Sequence, residues 1–308
     1  MCMSEPAFLP SPVMIIGVRG FLGRNLALCL AQKGVTVLGT TRGESASPAP
    51  DGVKRLFTWD GEDAEALAPL LKDMPAVVNL AGAPLKTSPW TRRYQCRLRE
   101  SRIKSAAALM AALSGRRKDM RVLQGSAVGF YGDTREDWVD EDSPPGDGFL
   151  ARLVTDWEAA AVALRPRRVS LALLRTGVVL HPSGGALKRL RRIQHLGLIP
   201  LPGGGRQWLA WIHIQDYLAA LVFLLTHPEI RGPVNLCAPN PERFAAFASK
   251  AVARGGIRIP LRVPAGMMRF FLGTAAEPLL EGQRARPERL REAGFRFKFP
   301  RLEAGLEF

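Results

Sequence analysis

The residues with the clearest chemical purpose lie near the start of the chain. Gly17-Val18-Arg19-Gly20-Phe21-Leu22-Gly23 carries glycines at the spacing G-x-x-G-x-x-G, between an apolar run and a helical pattern. In such a turn the first glycine permits the tight bend. The second lets backbone approach a pyrophosphate, and the third lets helix pack closely on strand. The helix that opens at Phe21 and Leu22 then offers free N–H groups and a positive dipole to the phosphates. A second signal follows the next strand, where Thr41-Arg42 stands in place of the Asp or Glu that usually binds an unmodified ribose. A guanidinium there favours a 2′-phosphate, which it can grip with two hydrogen bonds. Arg19 supplies a second cation inside the turn. The cofactor expected from these residues is NADP(H) rather than NAD(H).

Such a site needs a scaffold of strands that end in turns. Val13–Ile16 is a short apolar run suited to a buried parallel strand. Leu22, Leu26, Cys29 and Leu30 recur at helical spacing before Gly34. Strands are expected at Val35–Thr40, Ala76–Leu80, Arg121–Ser126 and Val169–Leu174. Helices are expected at Ala64–Leu71, Thr91–Leu113 and Leu150–Leu164. This alternation predicts an α/β fold, a Rossmann-type doubly wound parallel sheet. After about residue 180 the alternation loosens, with further helices near Gln215–Thr226 and Pro241–Arg254. The expected division is a dinucleotide-binding domain over 13–180 and a smaller α+β substrate-side region over 181–308, with some segments returning to the first.

Further stretches carry a resemblance: TTR at 40–42, NLAGAPL at 79–85, ESRI at 100–103 and GSAVGFYG at 125–132. DWEAAA at 156–161, LRTGVVL at 174–180, GGGRQWLAWIHIQD at 203–216, GPVNLCAPNP at 232–241 and EGQRARPERLREAGFRF at 281–297 extend it. With the glycine turn, they resemble the extended short-chain dehydrogenase/reductases, in particular the atypical, epimerase-like group with a C-terminal domain of unknown function. The turn departs from the usual GGTGFIG at Val18 and Arg19. The resemblance implies that Thr41 and Arg42 hold the 2′-phosphate side. It implies that Leu80, Ala81, Gly82, Arg102 and Val179 contact the cofactor, and that Ser126 hydrogen-bonds a substrate carbonyl or hydroxyl.

Catalytic members of that superfamily use a Tyr-x-x-x-Lys pair for proton transfer. Counting back from Glu158, its positions fall on Leu150 and Val154, neither of which can do acid–base chemistry. Tyr131 is the candidate replacement donor, with a packed loop residue as the alternative reading. Asp133, Asp156, Glu158 and His213 are nearby polar candidates, read more readily as cap, surface or structural groups. Gln207, Trp208 and Trp211 form either a pocket wall or core packing. Three functions follow: an NADP(H)-dependent oxidoreductase or epimerase-like enzyme acting on a small carbonyl or hydroxyl compound, a non-catalytic NADP(H)-binding sensor or scaffold, and polyanion association.

The 308 residues carry a net charge of +15, much of it in arginine runs at 116–118, 165–168 and 188–192. These runs lack interleaved aromatics, so nucleic acid is not the expected partner. The four cysteines and four histidines show no metal-ligand spacing, and no metal is expected. No stretch is long and apolar enough to span a bilayer, and Met1–Pro12 lacks the pattern of a signal peptide. A cytoplasmic protein without a membrane partner is expected. A homodimer through the helices near 91–113 and 150–164 is compatible with the resemblance, although Arg92, Arg93, Arg97 and Arg99 oppose that packing.

Overall fold

A computed structural model describes residues 8–43, 48–86, 88–182, 184–185, 187–188, 190, 198–251 and 259–306. His195 and much of the 188–192 run lie outside them.

The central element is a parallel sheet. Its strands are β1 Val13–Ile16, β2 Val37–Thr41, β3 Val53–Thr58, β4 Ala76–Asn79, β5 Met120–Ala127, β6 Val169–Thr176 and β7 Gly232–Leu236. Their spatial order is β7-β6-β5-β4-β1-β2-β3. Every neighbouring pair is parallel. The inner strands β1 and β4 are buried at every residue, which explains their unbroken apolar runs.

Helices cover both faces. On one, α1 (Phe21–Gln32) buries Gly23, Leu26, Ala27 and Leu30, a single stripe at helical spacing. It shares a core with α5 (Ile214–Thr226) through Tyr217, Leu221 and Leu224. On the other face lie α2 (Ala64–Leu71), α3 (Arg92–Ala112) and α4 (Phe149–Ala163), around Leu67, Leu109, Trp157 and Ala161. Asp63 caps α2 by accepting the N–H groups of Glu65 and Ala66. Thr91 caps α3 by accepting that of Tyr94.

The strand order reverses beside β1, so the crevice between the carboxyl ends of β1 and β4 is the place where such sheets bind ligands. Two strands of this sheet have no counterpart in the sequence reading. β3 is a half-exposed edge strand of mixed character, and β7 begins Gly232-Pro233. β7 pairs with β6, so the segment 214–236, beyond the expected 180/181 division, completes the central sheet and its helical cover.

The last part of the chain is bound to the first at two points relevant to the crevice. Arg284–Ala285 pairs in parallel with Trp138–Val139. Glu277 caps α4 from a distance: its Oε1 accepts the N–H of Phe149 at 3.2 Å and its Oε2 that of Leu150 at 2.9 Å. The local N-cap, Gly148 at φ 101°, has no side chain to do this.

Candidate functional site

Each glycine of the turn has a distinct steric reason. Gly17 adopts φ 83°, and a Cβ there would lie 3.0 Å from the backbone of Leu80 and Ala81 at the end of β4. The first glycine therefore brings β1 and β4 together as well as turning the chain. A Cβ on Gly23 would sit 2.5 Å from the Gly17 carbonyl oxygen, so this residue lets α1 seat on the turn. A Cβ on Gly20 would meet only the Gly17 oxygen, at 3.2 Å. Gly20 is the N-cap of α1 and provides no side-chain cap.

The two departures in the turn also have structural reasons. Val18 is fully buried. It fills space that Gly39 on β2 leaves open, since a Cβ on Gly39 would meet Val18 Cγ1 at 2.5 Å. Arg19 reaches sideways, and its Nη1 donates to the Pro48 carbonyl at 3.1 Å. It thus lies toward the loop after β2.

Two of the hollows beside the turn hold most of the expected cofactor residues. The first, about 390 Å³, is floored by Gly17, Thr40, Leu80 and Ala81 and walled by Arg19 and Arg42. Gly20, Thr41 and Gly82 also line it. Sequence reasoning missed its far wall, Trp59, Asp60, Gly61 and Glu62, together with Ser101, Lys104 and Ser105 from α3. The Asp60 carboxylate accepts the N–H groups of Glu62 and Asp63 at 2.8 and 2.9 Å, which hold its pKa below the ordinary value. Lys104 and Glu62 pair at 2.9 Å between α3 and that loop. The floor is held from below. Asn79 accepts the Ala81 N–H and donates to Ser105 and Gln124, and Ser101 accepts the Ala83 N–H.

The second hollow, about 310 Å³, is lined by Phe21, Leu22, Arg102, Ser126, Leu150, Val154, Trp157 and Val179. Half-buried Arg102 donates to the Leu98 and Ala83 carbonyls at 2.9 and 3.0 Å. Its guanidinium lies 5.3 Å from the Trp157 ring. Burial lowers its pKa to about 10, so it remains a cation at neutral pH. Of the expected cofactor residues, Gly23 alone lines neither hollow, in keeping with its packing role.

The expected catalytic groups are placed differently from the reading. Ser126 lines the second hollow but is only 5% exposed, and its hydroxyl donates to Glu158 Oε1 at 2.5 Å. Its hydrogen is directed into the protein rather than toward a carbonyl in the hollow. Glu158 is itself clamped by Arg175, with Nε–Oε1 and Nη2–Oε2 both 2.9 Å. Arg175 Nη1 donates to the Tyr131 hydroxyl at 3.0 Å, and that hydroxyl donates to Asn235 Oδ1 at 2.8 Å. Tyr131 is therefore a buried member of this network and not a donor facing the cleft. Burial pushes its pKa upward. Glu158 is likewise a buried ion-pair partner rather than a surface or cap group.

The other polar candidates have structural partners. Asp156 pairs with Arg99 on the surface. Asp133 accepts the Gly282 N–H. His213 caps α5 by accepting the Gln215 N–H, and burial lowers its pKa to about 4. Asp216 does not depend on it: its two oxygens accept the N–H groups of Lys298 and Phe299, each at 2.9 Å. Trp208, Trp211 and Gln207 line neither hollow. Trp211 is fully buried, and Trp208 stacks on the guanidiniums of Arg243 and Arg284.

The glycine turn, the parallel sheet and the paired hollows at the switch point coincide with a sequence match over most of the chain. Residues 13–237 match the NAD dependent epimerase/dehydratase family. The chain belongs to that family. Residues 263–308 match a domain of unknown function, DUF1731. Among relatives, Epimerase family protein Mb2239 of Mycobacterium bovis is 38% identical over 286 residues, covering 92% of this chain and 93% of the relative. The chloroplastic Epimerase family protein SDR39U1 homolog of Arabidopsis thaliana is 31% identical, covering 96% and 85%. Among solved structures, human epimerase family protein SDR39U1 with NADPH aligns at TM-score 0.82 and 30% identity, covering 96% of this chain and 98% of that one. The fold is that of the extended short-chain dehydrogenase/reductases. Within this epimerase-family chain, the positions assigned by resemblance to the Tyr-Lys pair are Leu150 and Val154, and both line the second hollow.

Proposed function

We propose that the protein is an NADP(H)-dependent oxidoreductase that binds the dinucleotide along the two hollows, adenosine end in the first and nicotinamide end in the second. One observation carries the cofactor choice: Arg42 follows the end of β2, and Arg42 and Arg19 both line the first hollow. Two guanidiniums there match a 2′-phosphate, whereas an unmodified ribose calls for a carboxylate. The human relative solved with NADPH supports this reading. The free N–H groups at the start of α1 would face the pyrophosphate.

The bound cofactor supplies or takes a hydride. Leu150, Val154 and Trp157 exclude water around the nicotinamide end, and Arg102 and Val179 position it. Ser126, its hydrogen given to Glu158, keeps an oxygen lone pair that can accept from a hydroxyl group. The deciding measurement is calorimetric titration with NADPH and NADH. NADPH is expected to bind at least about tenfold more tightly, the effect of one charge-assisted contact. Equal affinity overturns the assignment.

The replaced Tyr-Lys pair favours a second reading, a non-catalytic NADP(H) sensor or scaffold. It requires a conformation or partner interaction that differs between NADP⁺ and NADPH. The oxidoreductase reading requires substrate-dependent NADPH oxidation.

A further inference from the structure

The second hollow poses a chemical problem. Reduction of an isolated ketone creates an alkoxide, a strong base that must be protonated as it forms. A positioned acid accelerates that step by about 10²–10⁴-fold. Leu150 and Val154 present only hydrocarbon where the acid and its partner would stand. Ser126 donates its hydrogen to Glu158, and Thr176 donates to the Leu174 carbonyl at 3.1 Å. Tyr131 is bonded to Asn235 and does not line the hollow.

One class of acceptor does not need that acid. A quinone accepts a hydride to give a hydroquinone monoanion, whose charge is spread over an aromatic ring. The walls suit a flat apolar ring: Phe21, Leu150, Leu153, Val154 and Trp157. The side chain in the hollow with a permanent charge is Arg102. Among the described residues no carboxylate lies within salt-bridge distance of it. A half-buried cation without a counter-ion stabilises an anion formed beside it.

We infer that the substrate of this site is a quinone, reduced by two electrons through hydride transfer, with the second proton taken from water. The balance closes on known reactants. The reduced nicotinamide loses a hydride and becomes NADP⁺. The quinone gains that hydride to become the hydroquinone monoanion, which takes one proton from solvent after leaving the apolar walls. This inference rests on the proposed oxidoreductase function and names its substrate class.

The test uses the full chain with NADPH and two probes, duroquinone and cyclohexanone. Duroquinone has no open ring position for addition of the exposed thiol of Cys96. Three readouts are taken: NADPH binding by fluorescence, duroquinone binding to the NADP⁺-loaded protein by tryptophan quenching, and oxidation of NADPH. Duroquinone is expected to quench, with the quenching reduced in Trp157→Phe. Its kcat/KM is expected to exceed that for cyclohexanone by at least about 100-fold, the lower part of the range for a missing acid. In the double variant Leu150→Tyr/Val154→Lys that ratio should fall by at least about tenfold, because cyclohexanone gains a proton donor.

Cyclohexanone turned over as efficiently as duroquinone overturns the inference while leaving an oxidoreductase. NADPH binding with neither duroquinone quenching nor any turnover overturns the inference and favours the sensor reading. Absence of NADPH binding removes the proposed function itself.

Discussion

The two hollows lie at the same end of the sheet yet differ in what they present. The first, the proposed adenosine end, is charged: Arg19, Arg42, Asp60, Glu62 and Lys104 all line it. The second, the proposed nicotinamide end, is largely apolar apart from Arg102, and its Ser126 hydroxyl turns away into the network Ser126–Glu158–Arg175–Tyr131–Asn235. The first hollow is lined by charges of both signs, whereas at the second Arg102 alone of the charged lining groups faces the hollow, among the described residues, and the charges behind it hold the protein together. On the proposed function, recognition of the cofactor and the chemistry done with it rest on different residues.

The largest expected effect breaks the second half of that comparison. Removing the carboxylate in Glu158→Ala leaves Arg175, only 5% exposed at its side chain, without its ion-pair partner. Breaking one side of a buried pair costs about 3–5 kcal/mol. Urea denaturation should show a loss of that size. The same variant, at a temperature where it stays folded, should bind NADPH with nearly unchanged affinity. A large loss of NADPH affinity with unaltered stability would instead make Glu158 part of the ligand site.

Next comes the opposite end. Arg42 is exposed, so Arg42→Ala should leave the denaturation midpoint in place. Loss of a charge-assisted bond to phosphate is worth about 1.5–3 kcal/mol. NADPH affinity should fall by roughly 10–100-fold, while NADH affinity stays constant. Equal weakening of both would place Arg42 on the pyrophosphate or adenine and remove the basis for 2′-phosphate selection.

A third substitution sharpens what supports the adenosine end. In Gly39→Ala the new methyl would meet Val18 Cγ1 at 2.5 Å. Overpacking of this kind costs about 1–3 kcal/mol. The double variant Gly39→Ala/Val18→Ala should recover most of it, because the clash is with a side chain rather than backbone. Failure of the rescue would mean that β2 tolerates no side chain at this position.

These contrasts also explain how much was legible in the sequence. β1 and β4 are buried on both faces, so their composition announces them, and the glycines of the turn are read from spacing because their reasons are local and steric. β3 was missed because its edge position leaves it half exposed, with charged residues interrupting the apolar pattern. β7 was missed because it opens Gly232-Pro233, residues that usually mark a turn and are tolerated here on an edge strand. Val18 departs from the usual turn for a reason that lies on another strand, the space left by Gly39. The network behind Ser126 could not be read at all. Glu158 and Arg175 are 17 residues apart, and Tyr131 and Asn235 are 104 apart. Nothing in local pattern joins such pairs; only the packing of α4 with β5, β6 and β7 brings them together. Hence Ser126 and Tyr131 looked like a reactive pair in sequence and are parts of a scaffold in space.

The smallest effect concerns the support of the second hollow. Glu277 caps α4, which carries Leu150 and Val154, and Glu281 lies beside it. A Cβ on Gly148 would be within 3.7 Å of Glu281 Oε2. Burial, then the charges of Glu277 and Asp133, raise the Glu281 pKa to about 7. The unfolded chain holds this carboxyl near its ordinary value of 4.5. A raised pKa in the folded state means that the folded protein binds the proton more tightly. The associated stabilisation is complete below pH 4.5 and is lost as pH rises through about 7. Glu281→Gln removes the titration, so the variant should match the unmodified protein at pH 4 and be more stable at pH 8. Because the group is only half-buried, solvent screening reduces the gain to about 1 kcal/mol. Thermal denaturation at the two pH values measures it. A gain that is the same at both would mean that the substituted amide acts through packing, and that the cap on α4 bears no proton-dependent strain from its acidic neighbour.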